Sequence, residues 1–174
     1  PGGRGGRPPT QCGGRTAAQL GRLTNTRYGG LTNTDSTAMP TTQLGGMGSG
    51  QLGALTTVQF GGLTTTQITA LTTTQFGGLT STEIGALTTT QVGAITTTQI
   101  GAVTTTQIAG LNSTDIGALI TTQAAALTTT GIAALSTTQI VVVTTADIAA
   151  FTSTQGTPFT ATQLAIMPRT QTTA

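Results

Sequence analysis

Residues 63–102 read LTTTQITA LTTTQFGG LTSTEIGA LTTTQVGA ITTTQIGA, one eight-residue phrase written five times. The phase extends outward in both directions. From Arg7 to Ala174 it is never lost, giving 21 octads with no insertion. A fixed period of this kind makes each unit a module stacked on its neighbours, so the stack folds rather than the unit.

We number the octad 0 to 7 from its leading apolar residue. Position 1 is usually Thr and position 4 usually Gln. A Thr, Ser or Asn followed three residues later by Gln, Glu or Asp is the signature of a capping box at a helix start. Thr64 with Gln67, Thr72 with Gln75, Thr80 with Glu83, Thr88 with Gln91, Thr96 with Gln99, and Asn112 with Asp115 are the expected caps. Positions 0 and 5 then fall at the two ends of a hydrophobic staple. Leu63, Ile68, Leu71, Phe76, Leu79, Ile84, Leu87, Val92, Ile95, Ile100, Val103 and Ile108 are the expected core. Gly or Ala at positions 6 and 7 lets the helix end and the chain turn.

The expected fold is therefore an all-α solenoid of very short N-capped helices, about one and a half turns per octad. One continuous helix is excluded. Eight residues at about 100° each carry the apolar stripe about 80° round per octad, so no fixed face survives. So short a helix is unstable alone, and Thr and Gly each cost about 0.5–1 kcal/mol relative to Ala. Stability must come from stacking, with positions 0, 5 and 7 buried. The alternative is a β-solenoid of 16-residue, two-sided coils, favoured by the strand propensity of Thr. It suffers because positions 0 and 5 have opposite parity and would point to opposite faces of a straight strand. Pro8, Pro40 and Pro168 stand at position 1, where the box must shift or fail.

Along the chain, residues 1–6 are a Gly/Arg-rich lead-in and 7–174 a single solenoid. Octads 7–54 are degenerate, 55–118 regular, and 119–174 degenerate again as a capping or assembly end. The chain starts at Pro1 without Met, which suggests a processed product or a segment of something longer. Charged residues are 6% of the chain, against roughly 25% in ordinary domains. Low charge removes the usual source of solubility, so self-association is expected. Five of the six arginines, Arg4, Arg7, Arg15, Arg22 and Arg27, lie in the first 27 residues. With Tyr28 the only aromatic nearby, base stacking has little support, so a basic arm docking on a neighbouring subunit is expected rather than nucleic-acid binding.

Chemistry is scarce. There is no His and no Lys, and the lone Cys12 permits no intrachain disulfide and occupies an apolar position. Asp35, Glu83, Asp115 and Asp147 all stand at position 4, where capping explains them. No enzyme, cofactor or metal site is expected, and no apolar run is long enough for a membrane span. The remaining feature is a long hydroxyl face from positions 1 to 3, suited to ice, to a glycan or surface contact, or to O-linked sugars. Asn112-Ser113-Thr114 is a lone N-glycosylation sequon.

The LTTTQ runs at Leu63, Leu71 and Leu87, with ITTTQ at Ile95 and VTTTQ at Val103, resemble LTTxQI-type octapeptide arrays. Such arrays occur in large bacterial surface or secreted proteins, loosely labelled adhesins or haem-utilisation proteins. One octad alone also looks like the helix-start motif of periplasmic stress chaperones. The array resemblance implies an extracellular or cell-surface structural protein. With the composition it leads to the expectation of a self-assembling filament, sheath or appendage whose partners are copies of itself. A Thr-faced binding module, ice-binding or adhesin-like, is the alternative. The haem label finds no ligand here, because His is absent and Met39, Met47 and Met167 stand at core position 0.

Overall fold

The computed structural model describes residues 16–22, 24, 31–156 and 159–168. The expectations for residues 1–6, Arg7, Pro8, Cys12, Arg15, Arg27, Tyr28 and Pro158 lie outside these. Among the described residues the chain forms eighteen α-helices of four to six residues and no strand. The β-coil alternative is thereby overturned, and the fold is an all-α repeat solenoid.

Each helix opens at position 2, behind a position-1 residue in extended conformation. Thr64, for example, has φ −74° and ψ 160° before the helix Thr65–Ala70. Two extended residues in a row separate one helix from the next. Leu71 (φ −64°, ψ 133°) and Thr72 (φ −68°, ψ 160°) separate Thr65–Ala70 from Thr73–Gly77. Ile95 and Thr96 repeat the device before Thr97–Ile100.

The glycines turn the chain without entering the left-handed region. No described residue has positive φ, and the glycine C-caps are right-handed, as at Gly78 with φ −86° and ψ −5°. Their value is space. A Cβ on Gly85 would come within 2.6 Å of the Gly110 carbonyl oxygen, and one on Gly110 would overlap the Ser81 backbone.

Stacking follows a rule of three. Thr65–Ala70 packs on Thr41–Leu44 and on Thr89–Ala94, and Thr105–Ile108 packs on Ser81–Ile84 and on Thr129–Ala133. Every closely packed pair of described helices is three octads apart. One coil is therefore 24 residues and three helices, and the helices form three columns. This also replaces the 16-residue coil of the β alternative.

Positions 0 and 5 fill the interior in one continuous hydrophobic cluster from Leu20 to Met167. All twelve expected core residues, Leu63 through Ile108, are buried in it. Position 7 was expected buried and is at most half-buried, packing on the edge of the core at Ala118, Ala126, Ala134 and Val142. Ala70 and Gly78 are exposed, and Ala86 and Ala94 half-buried. The buried third position is 4. Helix geometry explains the exchange, since at about 100° per residue positions 4 and 5 share one face and position 7 lies about 110° from its centre.

Candidate functional site

The feature that repeats with the fold is the seam between one coil and the next, and the position-4 glutamine builds it. Gln99 shows the full set of bonds. Its backbone N–H donates to Thr96 Oγ1 at 3.2 Å, and its Oε1 accepts from Thr96 N–H at 2.8 Å, closing the capping box. Its Nε2 then donates to the carbonyls of Ile68 at 2.9 Å and Leu71 at 2.7 Å. Those carbonyls belong to the corner of the preceding coil, 31 and 28 residues back. A primary amide has two N–H donors and one carbonyl acceptor, and here all are used.

The same clip recurs along the array. Gln67 reaches Ser36 and Met39, Gln75 reaches Leu44 and Met47, and Gln107 reaches Phe76 and Leu79. Gln123, Gln139 and Gln163 do likewise with Val92 and Ile95, Ile108 and Leu111, and Ile132 and Leu135. Gln91 and Gln155 shift one partner by a residue, to Gly61 and Ala125. Gln59 bonds the Leu31 carbonyl, and Gln51 that of Gly21. The position-5 carbonyl also takes the position-0 N–H, as in Leu71 N–H to Ile68 O at 3.2 Å, so both of its lone pairs are occupied. In this way the corner, which no regular helix could satisfy, has its backbone groups paired.

The expected caps at Thr64, Thr72, Thr80, Thr88, Thr96 and Asn112 all accept from the position-4 N–H of their octad. What sequence reasoning missed is the second half of the glutamine. Its signal was present. An acid at position 4 closes the box equally well and suits the helix dipole, yet fifteen of the 21 octads carry Gln. Only the amide has donors to spare.

The departures follow from this accounting. Pro40 has no N–H, so Gln43 Oε1 is buried without a hydrogen bond, although the residue keeps another interaction. The helix Thr41–Leu44 forms regardless. Gly48 and Ile120 lack a side-chain cap, but their N–H groups still donate to Gln51 and Gln123 Oε1. Gly131 keeps the cap from Thr128 and has no side chain to clip with. Where position 6 is Thr, its hydroxyl adds another bond between coils, from Thr37 to Gly62 O at 2.8 Å and from Thr69 to Ala94 O at 3.2 Å.

The acids close their boxes by accepting hydrogen bonds. Asp35, Asp115 and Asp147 accept from the N–H of Thr32, Asn112 and Thr144. Glu83 Oε2 accepts from Thr80 N–H and Oγ1, and its Oε1 is buried with no partner. Burial raises the Glu83 carboxyl above its ordinary value, against the opposing pull of the Thr80 hydrogen bonds. Desolvation likewise raises Asp115, opposed by the Asn112 N–H.

Outside the seam, positions 1 to 3 present mostly exposed threonines, and an open groove is lined by Thr41, Thr65, Thr66, Thr69, Ala70 and Ala94. Near residue 160 the core positions open. Phe151 and Phe159 are half-buried with rings 6.1 Å apart, and Leu164 at position 5 is 49% exposed, where Ile68 and Ile100 are buried. Among the described residues no three His, Cys, Asp or Glu side chains converge as a metal site would need, and no helix is long and apolar enough to cross a membrane.

Among known proteins, a family model described as the ALTTAQ repeat matches residues 37–73, 47–81, 58–89, 71–105 and 92–129. Together these windows run from residue 37 to 129, more than half of the chain. No curated protein and no solved structure matches.

Proposed function

This chain belongs to the ALTTAQ repeat family, and from that premise we propose a structural repeat protein that assembles with its own copies into a filament, sheath or appendage. The observation that carries the reading is the seam that recurs from coil to coil, in which a position-4 glutamine donates to corner carbonyls 31 and 28 residues back. A coil of a second copy carries the same donors and the same corner carbonyls, so copies stack on one another by the rule used within the chain. A contact of this head-to-tail kind does not close on itself and so propagates.

The role needs no catalytic residue and no cofactor. The resemblance to octapeptide arrays of surface and secreted proteins supports an extracellular or cell-surface setting, which recovery of the native chain in a surface or secreted fraction would test. A second reading rests on the exposed threonine rows and the Thr-lined groove, which offer an uncharged hydroxyl surface to ice or a glycan.

Sedimentation and electron microscopy of the purified chain separate the two. Coil-on-coil stacking between copies predicts mass that grows with concentration and elongated particles. A monomer at every concentration, with thermal hysteresis or glycan binding, overturns the filament reading in favour of the hydroxyl surface.

A further inference from the structure

We infer that the Glu83 carboxyl stands protonated in the seam, its O–H donating to a corner carbonyl of Leu52–Leu55 as the glutamine amide does elsewhere, so that this one clip opens when the proton leaves. The register places Glu83 opposite those carbonyls, because Leu52 and Leu55 lie 31 and 28 residues back, the separations at which Gln75, Gln99 and Gln107 make their bonds. A Cβ on Gly53 would sit 3.8 Å from Glu83 Oε2, so the carboxyl does lie at this corner. Oε2 takes the role of the glutamine oxygen, bonding Thr80 N–H at 2.7 Å and Thr80 Oγ1 at 2.9 Å. Oε1 is left in the place of Nε2, buried and without a partner, on a side chain only 2% exposed.

A carboxylate oxygen aimed at carbonyl oxygens is repelled by them, whereas a neutral carboxylic acid has the shape of the glutamine amide and one donor of its own. No opposite charge on the packed elements offsets an anion here. The packed helices Thr57–Gly61 and Thr105–Ile108 and the 52–55 corner contain no ionisable side chain. Between Asp35 and Asp115 Glu83 is the only charged residue of either sign. Ionisation sends the proton to water and leaves a buried anion facing dipoles of the wrong sign.

The sign of the effect follows from the raised carboxyl. Its stabilisation is complete below the ordinary value of 4.5 and is lost as pH rises through the higher folded value. The inference does not depend on filament formation. Its test is the pH titration of the Glu83 carboxyl carbon by NMR in the folded chain, beside melting curves of wild type and Glu83→Gln.

The expected result is a carboxyl that titrates above pH 4.5, a wild-type melting temperature that falls as pH rises through its midpoint, and a Glu83→Gln chain lacking that fall. Titration at or below 4.5 overturns the inference. So does a Glu83→Gln melting temperature displaced from wild type by the same amount at low and neutral pH. Stabilisation of wild type but not Glu83→Gln by added Na⁺ or Ca²⁺, with the carboxyl ionised, would make a cation rather than a proton the occupant.

Discussion

At position 4 one amide side chain closes a cap in its own octad and ties that octad to the coil before it. Replacing Gln99 by alanine strands two partly or wholly buried backbone groups at once, the Thr96 N–H and the Leu71 carbonyl, and takes from the Ile68 carbonyl one of its two hydrogen bonds. At about 1–3 kcal/mol for each of the two groups left without a partner, less where water enters, Gln99→Ala should cost about 2–4 kcal/mol in a denaturant titration. That exceeds the ~1 kcal/mol of a cap alone. Gln99→Glu keeps the box and loses the clip, so at neutral pH it should fall between wild type and Gln99→Ala. The box was legible in the sequence because its members stand three residues apart. The clip was not, because its partners lie 28 and 31 residues away, and an octad period alone does not say how many octads make a coil.

Helices of four to six residues have no stability of their own, so each depends on its cap and its neighbours. Ile120 exposes a large apolar side chain where other octads have a hydroxyl, and no side chain caps Thr121–Ala124. Ile120→Thr should therefore raise stability by about 1 kcal/mol in thermal melts. Thr96→Pro should cost more than Thr96→Ala, since proline also removes the N–H that Gln99 Oε1 accepts and recreates the defect seen at Pro40 and Gln43. Staple and cap made this element readable from five letters. Its ending was read only in part, because Gly or Ala at positions 6 and 7 marked the turn but not the close packing of the next coil. Neighbouring backbone lies so close to Gly85 and Gly110 that the requirement there is the absence of a side chain.

For the whole molecule, the rule of three makes the array tolerant of whole octads and intolerant of fractions. Deleting residues 95–102 hands each later octad to the next column, where nearly identical corners await, so helix content and a cooperative melt should persist. Deleting residues 97–100 moves every later glutamine half a unit out of step with its carbonyls, and circular dichroism should show the helical signal after that point lost. Since the octads are near copies, the columns were hidden in the sequence and emerge from the packing of each helix on its third neighbour. The most direct test is an NOE spectrum from the side-chain amide protons of Gln99 in the folded chain. Cross-peaks to Ile68 and Leu71 are the expected result, and cross-peaks confined to its own octad, or to residues about two octads away, would contradict the three-helix coil and the clip that holds it.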